Sequence, residues 1–236
     1  MDSRLSACLI RPFAARCGID LSLYEMDDVR TFNDFFSRKI KDGLRPFDED
    51  PSHLIAPCDG LLRIVPIEAD TVLEIKNCRY TVSSLLRDKK LAGRYDGGLC
   101  FIFRLCVDHY HRYVYADSGM KSENRFLPGR LHTVRPAALE RVPVFIENCR
   151  EYTLIRSKTF GVLLQMEVGA MLVGRIVNHD GAGRAERGSE KGCFQYGGST
   201  VILLAQKGKA EPLERFRSHA GDTEIPVQMG EVIAAG

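Results

Sequence analysis

The sequence predicts an α+β protein that is mainly β, with an antiparallel sandwich or barrel-like core and N-terminal amphipathic helices. Three observations predict it. From Leu54 onward, short runs rich in Val, Ile, Leu and Phe end repeatedly at Gly, Pro, Asn or Asp, as many short strands do. Residues 1–48 instead space their apolar side chains as helices do. A chain of 236 residues, 44% hydrophobic and 27% charged, can bury a real core without staples. The expected organisation is a helical segment over 1–48 and a β-rich domain over 49–236.

Within the first segment, Leu5, Cys8, Leu9 and Phe13 recur at helical spacing, and Arg4, Arg11 and Arg16 interrupt them. Gly18 is the expected C-terminal stop, and Pro12 is expected to kink or restart the helix. A second helix starts at Thr31, with Asp34 completing a capping-box pattern. Phe32, Phe35, Phe36 and Ile40 then form one apolar stripe beside Arg38, Lys39 and Lys41. Two readings compete for that stripe: packing on the β core, or lying on lipid with the basic residues toward anionic headgroups.

The β texture that follows comprises "GLLRIVPI", "TVLEI", "LCFIFRLCV", "HRYVYA", "GRLHTV", "EYTLIRS", "GVLLQMEV", "AMLVGRIV", "KGCFQY" and "STVILLA". Helical interruptions are expected over 81–88 and 135–142. The long polar, glycine-rich loop is 178–192, just upstream of "YGGST", where it could shape a site.

Composition excludes some classes. A formal net charge of +2, with no long basic run, does not argue for nucleic acid. No apolar run approaches the roughly 20 residues that span a bilayer, and no signal peptide is evident. The eight cysteines lack any CxxC pair or His/Cys metal spacing, which reads as buried or free thiols in a reducing compartment and no metal.

Three local features hold the residue types of a Ser/His/Asp arrangement: Asp59 in "APCDG", the histidines of "DHYHRYVYAD", and Ser199 in "YGGST". A serine becomes a nucleophile only when a base takes its proton, and that base must be held in the right tautomer. Each feature also has an ordinary reading. Asp before Gly is turn chemistry, a His beside Tyr is a satisfied rim residue, and paired glycines make tight turns.

The words "RTFNDFFSRKIKDGLRPFD" (30–48), "APCDG" (56–60), "RLCVDHYHRY" (104–113), "PGRLHTV" (128–134), "EVGAMLVGRI" (167–176) and "KGCFQYGGST" (191–200) resemble, in order, the phosphatidylserine decarboxylases. These are self-processing proenzymes that make their own pyruvoyl cofactor. The resemblance implies a cut between Gly198 and Ser199, a β chain 1–198, and an α chain 199–236 capped by a pyruvoyl group derived from Ser199. It also implies that His111 deprotonates Ser199 while Asp59 orients the imidazole, and that Ser199 attacks the Gly198 carbonyl. The mature pyruvoyl would decarboxylate phosphatidylserine to phosphatidylethanolamine and CO₂ through a Schiff base, with His111 returning a proton to the α-carbon.

Two departures matter. Val114 stands where some members carry a second histidine, so His111 is expected to take both roles. His109 stands where Asp is common and is an alternative base. The chain also lacks the extra hydrophobic sequence that many members carry before the first helix. Membrane contact is therefore expected to rest on that helix and on Phe32, Phe35 and Phe36, as a peripheral protein on the cytoplasmic face of the cell membrane. The remaining readings are an ether-type phosphoserine lipid as substrate, a non-catalytic lipid-binding relative, and a conventional serine hydrolase; a homodimer is left open.

Overall fold

The N-terminal segment begins as a 3-10 turn, Arg4–Leu9, and continues as α1 (Ile10–Cys17). The restart falls two residues before Pro12, which places the proline in the first helical turn, where its missing N–H costs no helical hydrogen bond. Gly18 ends the helix in the left-handed conformation, at φ 67°. The second helix, α2 (Phe32–Phe36), carries the expected capping box: Thr31 Oγ1 accepts from the Asp34 N–H at 3.1 Å, and the Asp34 carboxylate accepts from the Thr31 N–H at 2.8 Å.

The stripe of α2 packs inward. Phe32, Phe35 and Phe36 are 2%, 0% and 0% exposed, which corrects the expectation that they contact lipid. Phe13 of α1 meets Phe32 edge-on at 5.1 Å, and Tyr196 of the β region meets it at 5.4 Å. Burying a phenyl ring is worth about 1.5–3 kcal/mol, so a site with partners on both sides outcompetes a bilayer surface. The outer face keeps Leu5 and Leu9 exposed beside exposed Arg4 and Arg11.

The computed structural model describes residues 1–236 apart from Asn77, 132–145, 170–174, 197–198 and 218–222. The helix expected over 135–142 and Gly198 of the expected cleavage pair lie outside the described residues. The β region then runs β1 (His53–Ile55), β2 (Gly60–Pro66), β3 (Leu73–Ile75), β4 (Cys78–Tyr80), α3 (Val82–Leu86), α4 (Lys89–Ala92), β5 (Leu99–Leu105), β6 (Arg112–Val114), β7 (Gly119–Lys121) and β8 (Arg125–Leu127). It continues through β9 (Arg150–Ser157), β10 (Val162–Val168), β11 (Ile176–Asn178), β12 (Gly183–Ala185), β13 (Glu190–Phe194), β14 (Ser199–Ala205), β15 (Ile225–Val227) and β16 (Val232–Ala235).

The main sheet is antiparallel, in the order β12-β7-β9-β10-β14-β5-β2-β15 with β8 on β9; among the described residues its ends do not pair, so it is not a closed barrel. Alternation along β14 sets the layers. Val201, Leu203 and Ala205 face one core with Tyr113, Phe194 and Ile233, whereas Ile202 and Leu204 face a second core with Leu73, Leu85 and Tyr95. One face is therefore covered by the small sheet β11-β13-β6 and by β1 and β16. The other is covered by the β3-β4 hairpin with α3 and α4.

A β-bulge at Lys191 locks the small sheet onto the large one. The register moves from Glu190↔Val114 to Gly192↔Tyr113, leaving Lys191 as the extra residue, and a bulge re-aims its side chain. Lys191 Nζ donates to Glu167 of β10 at 2.5 Å and to Asn178 Oδ1 at 2.9 Å, and both charged side chains are 0% exposed. Gly192 is required beside it, since a Cβ there would lie 2.1 Å from the Val177 carbonyl oxygen.

Removing one partner of such a pair leaves a buried charge alone. Lys191→Met is expected to lower unfolding free energy by about 3–5 kcal/mol. Lys191→Met with Glu167→Leu should recover most of that loss, as read by urea denaturation.

Candidate active site

Ser199 opens β14, opposite Leu105 of β5, at the end of the sheet where Thr200 faces Val168 and Val168 faces Arg150. Its side chain shares the face of Val201, toward the small sheet. It is 2% exposed, and its hydroxyl has no hydrogen-bond partner among the described residues. His111, immediately before β6, is 0% exposed. Its Nδ1 shares a 2.9 Å hydrogen bond with the His109 carbonyl, which makes Nδ1 the donor, and its Nε2 is unpartnered among the described residues.

Burial pushes the imidazolium of His111 down to about 3. The His109 carbonyl opposes that, while the positive charges of Arg38 and Lys76 add to it. The ring is neutral at physiological pH with its lone pair on Nε2, the state of a general base. Lys76, between β3 and β4, is itself lowered by burial to about 8.

Phe36 of α2 joins the two sides of the site. Its ring lies 4.0 Å from the His111 ring and 5.3 Å from the Tyr196 ring, both between centroids. Asn33 Oδ1 accepts from the Tyr196 N–H at 3.2 Å. One helix thus touches both the imidazole and the segment leading into Ser199.

Asp59 sits elsewhere in the hydrogen-bond pattern. Arg45 grips its carboxylate with two hydrogen bonds, 2.9 Å from Nε and 2.7 Å from Nη2, and the Met229 N–H donates to Oδ1 at 2.9 Å. Leu61 faces Arg104, which faces Thr200, so the strand that follows Asp59 lies two strands, roughly 10 Å, from the strand that Ser199 opens. Among the described residues the orienting acceptor of His111 is a backbone carbonyl, and Asp59 braces the 56–60 turn against Arg45 and Met229. His109, the alternative base, spends its Nδ1 on the Cys106 N–H at 3.0 Å, and Cys106 Sγ accepts from Arg104.

A family model described as phosphatidylserine decarboxylase matches residues 32–235. The phosphatidylserine decarboxylase proenzyme 2 of Clostridium acetobutylicum is 43% identical over 225 residues, 95% of this chain and 77% of the relative. A phosphatidylserine decarboxylase proenzyme of Clostridium botulinum is 40% identical over 240 residues, 99% and 81% of the two chains, and one of Ruminiclostridium cellulolyticum is 40% identical over 211 residues, 87% and 70%. The chain belongs to the phosphatidylserine decarboxylase family.

In this member of the family the 178–192 loop contributes through its ends. Asn178 and Lys191 are built into the buried network, and His179 pairs with Glu190 at 2.8 Å. Its middle forms β12 against β7, and Arg184 aligns with Met120 and thence Arg156, six residues along β9 from Arg150, about 20 Å from the Ser199 end of the sheet. Phe36, Arg38 and Arg45 escaped the sequence reading of chemistry. Their only signal is that they fall inside the words "FFSRK" and "LRPFD".

The buried neutral histidine makes a pH prediction. Unfolded His111 binds a proton below about 6.5 while the folded protein does not until about 3, so in that window the unfolded state holds more protons. Stability contributed by His111 is complete above pH 6.5 and is lost as the pH falls toward 3. Relative to His111→Gln, the unaltered chain should lose up to about 1.4 kcal/mol per pH unit across the window, read from thermal melts of both proteins.

Proposed function

We propose that this protein is a self-processing phosphatidylserine decarboxylase that cleaves itself between Gly198 and Ser199. The observation that carries the reading is a pair of orphaned atoms. Ser199 Oγ and His111 Nε2 are both buried without partners among the described residues, and each such atom forgoes about 1–3 kcal/mol. A structural serine and histidine would be satisfied; a nucleophile and its base await a reacting group.

In the processing step Nε2 of His111 takes the Ser199 hydroxyl proton as Oγ bonds to the Gly198 carbonyl carbon. The peptide C–N bond then breaks, the nitrogen takes a proton, and an ester remains. Loss of the Ser199 Cα proton expels the Gly198 carboxylate, and hydrolysis of the resulting dehydroalanine releases ammonia and leaves pyruvoyl. The His109 carbonyl holds the tautomer throughout. Asp59 acts on the site by bracing the 56–60 turn, unless Arg45 releases it to the imidazole.

The pyruvoyl group supplies an electron sink for the pair released when CO₂ leaves phosphatidylserine. His111 moves the proton: Nε2 accepts one from the substrate ammonium and returns it to the α-carbon as phosphatidylethanolamine forms. Its burial beside Phe36 and Tyr196 excludes water that would compete for that transfer. Bilayer contact falls to Leu5 and Leu9, 85% and 47% exposed beside Arg4 and Arg11, as a peripheral attachment at the cytoplasmic face. Among the described residues no helix is long and apolar enough to cross a membrane.

Intact mass spectrometry tests the reading. The expected result is two chains broken at Gly198/Ser199, the smaller lacking a free amino terminus and carrying a pyruvoyl mass. Ser199→Ala should remain one chain with no decarboxylation of phosphatidylserine vesicles; activity from an uncleaved chain would overturn the assignment. Leu5→Asp with Leu9→Asp should cut co-sedimentation with anionic vesicles several-fold while leaving self-cleavage intact.

A further inference from the structure

Arg38 is 2% exposed, yet among the described residues it makes no ion pair. Its guanidinium lies 4.3 Å over the Tyr24 ring and 4.9 Å over the Phe35 ring. Every acceptor it reaches is neutral: the carbonyls of Phe35, Asp108 and His109 at 3.4, 3.3 and 3.4 Å, and the Tyr24 hydroxyl at 3.4 Å. Its Nε has no partner among the described residues. Burying a cation against carbonyls and rings costs stability that a Leu or Met in the same space would not. The fold alone does not explain it.

The His109 carbonyl that Arg38 reaches is the same oxygen that accepts from His111 Nδ1. A carbonyl has two lone pairs, so both donors can be served at once. We infer that Arg38 is the positioning residue of His111: it fixes the His109 carbonyl so that the imidazole carries its proton on Nδ1 and leaves Nε2 as the free base. The inference rests on the reading of His111 as the base of self-cleavage.

Arg38 does a job here that a carboxylate does elsewhere, with one difference in sign. A carboxylate partner would favour the imidazolium; a carbonyl backed by a cation fixes the tautomer while disfavouring charge on the ring. The titratable groups acting on His111 are Arg38 from the segment after α2, His109 from its own turn, and Lys76 from the β3-β4 turn. Phe36 and Tyr196 present rings, and the neighbouring Arg112 is paired with Glu190 at 2.6 Å. Lysine could keep the charge at position 38, but its single ammonium lacks the planar fork that stacks between two rings while reaching three carbonyls.

The test reads the imidazole itself. In the full-length Ser199→Ala chain, which cannot process, ¹⁵N NMR at pH 7 should show His111 only as the Nδ1–H tautomer, assigned by its loss in His111→Gln. Adding Arg38→Met should produce a mixture with the Nε2–H form. In the chain that retains Ser199, Arg38→Met should slow self-cleavage at least tenfold and move its acid limb up by roughly one pH unit. Arg38→Lys should leave the acid limb in place while still mixing the tautomers, and it decides the question if Arg38→Met does not fold.

An unchanged tautomer and acid limb in the folded Arg38 variants would overturn the inference. Self-cleavage of His111→Gln at the unaltered rate would instead overturn the base assignment, and with it the catalytic meaning of Arg38. The spectrum judges the positioning itself.

Discussion

The buried pair of Lys191 and Glu167 is the constraint on which the site depends. His111 belongs to the small sheet and Ser199 to the large one, and two stacked sheets can slide unless something specific fixes them. Apolar contacts between them, such as Tyr113 and Phe194 against Phe103 and Val201, favour contact of any register. A fully buried ion pair does not, because a displaced ammonium or carboxylate would be left unpaired in the interior. Around it, Asn178 bonds Glu167, the Tyr113 hydroxyl bonds Asn178, and Gln165 bridges the Val114 carbonyl and the Ala116 N–H. The network lies within a few residues of both reacting groups.

The N-terminal segment supplies the second constraint. Its α2 motif is less a lipid surface than a wall of the site: Phe36 covers the imidazole, Asn33 holds Tyr196, and Arg38 reaches the turn that carries His109. Arg112 returns the contact by donating to the Ser37 carbonyl at 2.9 Å. The segment proposed to meet a bilayer therefore also packs on the candidate site, with exposed Leu5 and Leu9 on its outer side and buried phenyl rings on its inner side.

Two buried carboxylates have different partners. Asp59 accepts from Arg45 and from the Met229 N–H, whereas Glu167 is pushed upward by burial even though Lys191 and Asn178 pull it back. His111 has neither kind of partner. Its neutrality follows from burial and from neighbouring positive charge.

Local chemistry made several elements legible from the sequence. The capping box at Thr31, the stop at Gly18, the helix after Thr81 and the long strands "GLLRIVP", "LCFIFRL", "VLLQMEV" and "STVILLA" all follow from rules acting over a few residues. Very short strands such as β7 and β12 carry too few residues to alternate visibly. The stripe of α2 was ambiguous because periodicity reveals that a face is apolar and not what covers it. By itself the sequence determined the family, the mainly-β class and the residue types available for chemistry. Only the tertiary structure decided that His111 takes its orientation from the His109 carbonyl, that Asp59 is held by Arg45, and that Arg38 stands behind the imidazole. Those pairings join residues up to 71 apart in the chain, and hydrogen bonds are chosen by distance in space, which no local pattern encodes.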